Sequence, residues 1–338
     1  MKRKFFSAFK YLVSLAVAIA LLLYVFRDWE FKELLARFGE VNYFWVGVSF
    51  FFSVISHVLR AYRWNLLLHP LGYTQLSTWR TFKAVMIGYL TNLVAPRLGE
   101  ITRCGVMKRE DNVNMSASIG TVVAERVFDL IILVVLIFIG LILEFDKLSN
   151  FFIGFFNSKA DSFAISATTL NLLIIIGFIL VILLIVLWWF RERVKRKPFY
   201  YKIRSFIREM MNGFTSVLRL ENKIGFWTST IMVWVLYFVM AYVLFFSIES
   251  TSHLGMVAGL SVLIMGGIGM SAPVQGGFGV YHILVGSMLL TYGIAEKDGY
   301  FFATLVHTSQ TILVMLVGGI SLVLTLPSRT IKDLENEI

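Results

Sequence analysis

From position 119 to position 143 the chain is almost wholly apolar, yet Glu125, Arg126 and Asp129 stand inside the run. A helix needs about 20 mostly apolar residues to cross the roughly 30 Å hydrocarbon core of a bilayer, and this run is long enough. A charge at the bilayer centre costs about 2.5–3.5 kcal/mol, so all three must face protein or a water-filled cavity. Glu125 and Asp129 are four apart and share a helix face, with Arg126 placed to neutralise one of them or to reach a neighbouring element. The segment therefore predicts a membrane protein with a polar interior. A purely structural ion-pair network would satisfy the same charges.

The rest of the chain agrees. With 58% hydrophobic residues in 338 positions and a mean hydropathy of +0.77, one water-soluble core cannot hide its apolar surface. Apolar runs of near-spanning length fall at 11–26, 43–60, 117–143, 165–190, 226–248 and 300–326. Lys2, Arg3 and Lys4 ahead of the first run resemble a signal peptide, but Ala16, Ala18 and Ala20 lie inside the apolar stretch, so an uncleaved span is expected. Two further apolar stretches are interrupted. One runs from 82 to 94 and meets Pro96 and Gly99; the other runs from 254 to 291 through Pro273, Gly276, Gly277 and Gly279. Proline removes a backbone donor and glycine loosens a helix, so each should break and turn back. The fold class expected is an all-α polytopic membrane protein, one domain over 1–338, with about six full spans and two broken re-entrant helical hairpins.

Charge orients it. If each hairpin enters and leaves on one side, segments 1–10, 60–83, 97–111, 191–223 and 327–338 share a side and carry 24 basic residues, against 6 in 27–40, 144–161, 249–253 and 294–299. The positive-inside rule then puts both termini in the cytoplasm, for a multi-pass protein of the cytoplasmic membrane. The unit 43–143 runs opposite in sense to 226–326, as in an inverted-topology repeat. Between them, 191–223 carries ten basic and three acidic residues. Phe199, Ile203, Phe206, Ile207, Met210, Phe214 and Val217 recur there at helical spacing, as for an amphipathic helix on anionic headgroups; a solvated linker has the same charges. The net charge of +10 flanks apolar runs rather than covering a soluble surface, so nucleic acid is not an expected partner.

Three groups of residues point to chemistry. Asn92, Pro96, Arg97, Gly99, Glu100 and Arg103 form the first. If a helix resumes after Pro96, Arg97, Glu100 and Arg103 share a face, offering two guanidinium forks to an anion with Glu100 holding one in place. A surface helix stabilised by ion pairs gives the same spacing. Glu125, Arg126 and Asp129 are the second group. The third is Pro273, Gln275, Gly276, Gly277, Gly279 and His282, where an unwound glycine-rich backbone lets a ligand approach and half-helix amides favour negative charge. A lone histidine such as His282 is most simply a hydrogen-bonding member of the bundle.

Other matches carry nothing. Gly267, Gly269 and Ala272 fit the loose dinucleotide pattern without a strand or βαβ unit, and Gly255 with Gly259 speaks only of close helix packing. The five histidines lack zinc spacing, the single Cys104 leaves no internal disulfide, and neither a metal nor a cofactor is expected.

At these three groups the sequence resembles the membrane region of the lysylphosphatidylglycerol synthase family, also described as flippase-like proteins. The resemblance rests on Asn92, Pro96, Arg97, Gly99, Glu100 and Arg103, on Glu125, Arg126 and Asp129, and on Pro273, Gly276, Gly277 and Gly279. It implies movement of a phospholipid or lipid-linked anionic headgroup between leaflets along the broken elements. Synthases of the family append a soluble catalytic domain. This chain ends twelve residues after Leu326, so lipid aminoacylation is not expected of it. Many relatives carry an acidic residue after the glycine-rich turn, where this sequence has Tyr281 and His282. Arg97, Arg103 and Arg126 are then expected to engage phosphate, with Glu100, Glu125 and Asp129 orienting them or meeting an amino group. Catalysis at a lipid headgroup and a scaffold for lipid-modifying enzymes are the alternatives.

Overall fold

The computed structural model of the protein describes residues 15–27, 29–160, 198–272 and 274–325, which are helical with short connections and contain no strand. In chain order the helices are α1 Leu15–Val25, α2 Phe31–Gly39, α3 Tyr43–Leu68, α4 Thr78–Val94, α5 Gly99–Asp111, α6 Met115–Leu143 and α7 Phe145–Ala160. There follow α8 Pro198–Phe214, α9 Lys223–Val243, α10 Met256–Ser271, α11 Val280–Leu290 and α12 Glu296–Thr325. Four helical stretches, Tyr43–Leu71, Met115–Leu143, Lys223–Ser247 and Glu296–Thr325, are long and apolar enough to cross a membrane. The chain is a multi-pass α-helical membrane protein. The expected span 165–190, Pro273 and both chain ends lie outside the described residues.

Local sequence sets the ends of these helices. Asn42, Asn114 and Asn222 each accept a hydrogen bond from a first-turn amide of α3, α6 and α9, at 3.1, 3.0 and 2.7 Å, which satisfies one otherwise unpaired donor. The outward side of α6 exposes Val127, Leu130, Ile131, Val134 and Phe138, the surface a lipid-facing span presents.

The structure corrects one expected boundary. The span placed at 43–60 continues as α3 to Leu68, because Ala61, Trp64, Leu67 and Leu68 are fully buried and Arg60 and Arg63 find carboxylates inside the bundle. Segments 27–40 and 144–161 also hold helices, α2 and α7. The helix expected within 199–217 forms as α8. Its Met210 to Phe214 stretch lies against Ala117 to Thr121 of α6, while Ile203, Phe206, Ile207 and Met211 are exposed.

Both interrupted segments fold as helix, break, helix. Ala95 precedes Pro96 and is extended, Arg97 adopts a left-handed φ of 66°, and α5 starts at Gly99. The residue before a proline is pushed out of the helical region, which is why α4 stops there. Gly99 packs so closely on Gly88 that a Cβ would strike the Gly88 carbonyl. In the second segment Gly276, Gly277 and Gly279 all take positive φ, and α11 resumes at Val280. The two tips then meet. Arg97 Nη2 donates to the Ser271 carbonyl at 2.6 Å, and Gln275 Nε2 donates to the Val94 carbonyl at 2.7 Å.

Two apolar cores flank this junction. One gathers α10, α11 and α12 around Val262, Val285 and Phe302; the other gathers α3, α4 and α5 around Trp64, Phe82 and Met107.

Candidate functional site

Beside the second core, four guanidiniums and three carboxylates interlock. Arg60 Nε donates to Glu125 Oε1 at 2.7 Å, its Nη2 to Asp129 Oδ2 at 2.6 Å, and its Nη1 to the Tyr237 hydroxyl at 2.8 Å. One turn on, Arg63 Nη2 donates to Asp129 Oδ1 at 2.8 Å and to Glu125 Oε1 at 3.1 Å. From α5, Arg103 Nη2 donates to Glu125 Oε2 at 2.9 Å while its guanidinium lies 4.6 Å from the centre of the Trp64 ring. Trp64 is held by its own bond to Thr121 Oγ1 at 2.9 Å. Glu125 thus receives bonds from three arginines on two helices. A buried carboxylate needs such complete pairing, because its desolvation costs several kcal/mol.

Exposure falls inward across the network. Side-chain exposure is 0% at Glu125 and Arg63 and 4% at Arg60 and Arg103, against 15% at Asp129, 23% at Glu100 and 41% at Arg126. Arg126 Nη2 donates to Glu100 Oε1 at 2.8 Å, and its Nη1 lies 3.9 Å from Asp129 Oδ2. The inner members are a structural joint between α3, α5 and α6. Arg126, Glu100 and Asp129 form the outer edge of the network.

That edge borders a cavity of about 550 Å³, within the size range of small-molecule sites. Its polar lining includes His57, Arg60, Tyr89, Asn92, Arg97, Glu100, Arg126 and Asp129. The remaining lining includes Leu130, Leu133, Met240, Leu263, Gly267 and Met270, with Gly276 and Gly277 of the second hairpin and His307 and Gln310 of α12. The lining combines guanidiniums that suit an anion with apolar side chains that suit hydrocarbon.

The sequence-derived residues divide accordingly. Asn92, Pro96, Arg97, Glu100, Arg126, Asp129, Gly276 and Gly277 line the cavity. Arg103 and Glu125 stand behind its wall, in the joint. Gln275 is buried and spends its amide on Val94. Gly279 faces α1, where a Cβ would collide with Leu21. His282 is buried, its Nδ1 accepting from the Gly279 amide at 3.2 Å; Asn92 Oδ1 does the same for the Gly99 amide at 2.7 Å. The half-helix amides expected to favour an anion therefore include two that are already capped by side chains. The shared face expected for Arg97, Glu100 and Arg103 does not form, because Arg97 sits in the left-handed turn ahead of α5. Glu100 holds Arg126 instead.

Sequence reading missed Arg60 and Arg63, which it counted as surface charge. Their signal was the return of apolar residues at Trp64, Leu66, Leu67 and Leu68 beyond them, which fits a helix that continues. His57, Tyr89, Tyr237 and His307 are single polar residues in apolar helices and form no pattern. Among the described residues no three His, Cys, Asp or Glu side chains gather as a metal site.

Comparison with known proteins places this arrangement. Of curated proteins, glycosyltransferase AglD of Haloferax volcanii is 31% identical over 101 residues, 30% of this chain and 16% of that protein. UPF0104 membrane protein MJ1078 of Methanocaldococcus jannaschii is 37% identical over 59 residues, 18% of this chain and 25% of that protein. The matches thus span a quarter or less of either relative. No solved structure matches the chain. The sequence model of the lysylphosphatidylglycerol synthase TM region matches residues 11–318, a stretch that contains the joint, both hairpins and every residue lining the cavity, and on that ground the chain belongs to the lysylphosphatidylglycerol synthase TM region family.

Proposed function

We propose that the protein moves a phospholipid, or a lipid-linked anionic headgroup, between the leaflets of the membrane. The observation that carries this reading is the cavity itself, lined by the guanidiniums of Arg60, Arg97 and Arg126 together with mostly apolar side chains. A phosphate at Arg97 and Arg126 would exchange its hydration for charge-assisted hydrogen bonds, while Glu100 and Asp129 keep those arginines in place or meet an amino group on the ligand. The two helix–break–helix segments would act as the moving parts, consistent with 43–143 and 226–326 being units of opposite sense. Translocation requires two conformations, each binding the ligand from one leaflet. The same reading places the protein in the cytoplasmic membrane with both termini inside, and sets the basic, half-exposed α8 against anionic headgroups.

The test is purified protein in liposomes carrying fluorescent lipids of several headgroups, with leaflet accessibility and headgroup chemistry followed together. Translocation of chemically unchanged lipid is the expected result. The haloarchaeal relative's name, glycosyltransferase, motivates a second reading in which the site performs chemistry on a lipid headgroup; an altered lipid without faster exchange would replace the first reading with the second.

A further inference from the structure

The contacts of the joint and the cavity are well paired, but their charges do not balance. Arg60, Arg63, Arg103 and Arg126 are bound to Glu100, Glu125 and Asp129. Arg97, at the tip of the first hairpin, donates to the Ser271 carbonyl and enters none of these ion pairs. With the histidines neutral, five positive charges stand against three negative and leave two in excess. The excess is felt in the cavity, because Arg60 and Asp129 belong both to the joint and to the cavity lining. A net charge held away from bulk water is costly unless a counter-charge accompanies it.

The carboxylates that line the cavity are already engaged. Asp129 accepts from Arg63 at Oδ1 and from Arg60 at Oδ2. Glu100 accepts from Arg126 at Oε1, and its Oε2 is buried. An ammonium entering the cavity would meet guanidiniums and no open carboxylate oxygen, whereas Arg97 spends only Nη2 on Ser271 and a guanidinium carries five donors. We propose that the group this cavity takes is a doubly charged phosphate, a phosphomonoester or a diphosphate, and that it turns away headgroups carrying an ammonium. A phosphomonoester bears about −1.5 to −2 charge at pH 7, which matches the excess; a phosphodiester bears a single charge, and an ammonium on the same headgroup cancels it. Of the two roles open to Glu100 and Asp129, this assigns them that of holding the arginines.

This rests on the reading that the cavity holds a headgroup, so the experiment measures binding preference rather than movement. The full chain in neutral detergent is titrated at pH 7 with phosphatidic acid, phosphatidylglycerol and phosphatidylethanolamine of one acyl composition, and occupancy is read by native mass spectrometry. Phosphatidic acid is expected to bind about tenfold more tightly than phosphatidylglycerol, and phosphatidylethanolamine most weakly. Arg204 and Arg208 on the exposed face of α8 attract any anionic lipid, so the decisive contrast is with Arg97→Gln and Arg126→Gln, which leave α8 intact and each remove one charge. In either variant the preference for phosphatidic acid over phosphatidylglycerol should fall to about one. Equal affinities in the wild type, an unchanged preference in the folded variants, or phosphatidylethanolamine binding as tightly as phosphatidic acid overturns the assignment. Displacement of phosphatidic acid by equimolar glycerol 3-phosphate supports the charge match and overturns a lipid as the bearer of the phosphate. Lipid exchange in liposomes without this preference overturns the charge match and leaves translocation standing, while the preference without exchange does the reverse.

Discussion

Gln275 Nε2 donates to the backbone carbonyl of Val94 at 2.7 Å, across 181 positions of sequence. Val94 is the last residue of its helix and Gln275 begins the short turn between α10 and α11, so this side chain links the tips of the two hairpins beside the Arg97 bond to Ser271. The carbonyl it reaches is one a helix end leaves without an intrahelical partner.

Gln275→Ala is expected to lower stability by about 1 kcal/mol, the net worth of a hydrogen bond. Gln275→Glu should cost more, since a carboxylate faces a carbonyl that can only accept. Thermal midpoints in detergent should fall in the order wild type, Ala, Glu. Equal midpoints for wild type and Gln275→Glu would show that this contact does not hold the tips.

Glu125 accepts from Arg60, Arg63 and Arg103 with no exposed surface. Glu125→Gln leaves three guanidiniums without their shared carboxylate and should destabilise by about 3–5 kcal/mol. Glu100→Gln, at the cavity edge with 23% exposure, should cost about 1 kcal/mol or less. Size-exclusion profiles after stepped heating separate the two, and equal losses would contradict the inner and outer division of the network.

Arg126→Ala should leave the fold intact, because a half-exposed pair is worth about 0–1 kcal/mol, while lowering lipid exchange in liposomes about tenfold. Arg126→Lys should recover part of the rate, since it keeps the charge and loses the fork. Arg103→Ala should fail differently, through loss of folded protein. Unchanged exchange in folded Arg126→Ala protein would remove this residue from the site.

A Cβ at Gly120 would strike the Met210 carbonyl, and one at Gly213 the Ala117 carbonyl. Backbone cannot yield as a side chain does, so Gly120→Ala and Gly213→Ala should each cost about 1–3 kcal/mol by forcing α6 and α8 apart. Gly47 in α3 has nothing within 4 Å of an added Cβ. Gly47→Ala should therefore leave the thermal midpoint unchanged or raise it, by up to about 1 kcal/mol in stability.

The sequence by itself determined the membrane class, the two breaks and the pairing of Glu125 with Asp129 on one face. These are properties of local composition: apolar length is set by bilayer thickness, a proline stops a helix through its own ring and its neighbour's sterics, and residues four apart align by helical pitch. It also made three groups of polar residues conspicuous against an apolar background. Their grouping was legible, but their division of labour was not.

Tertiary structure alone decided which charges face the cavity. Arg60 and Arg63 looked like surface residues because charge at the end of an apolar run reads as a membrane boundary; only the distant carboxylates of α6, at 2.6 to 3.1 Å, let the helix carry them inward. Arg97 left its expected face because a left-handed turn is a backbone choice made by the hairpin as a whole. Glu100 and Arg103, three apart on one helix, ended in different environments, one on the cavity and one behind it. The cost of burying a charge depends on partners brought from elsewhere in the chain, and no local pattern contains them.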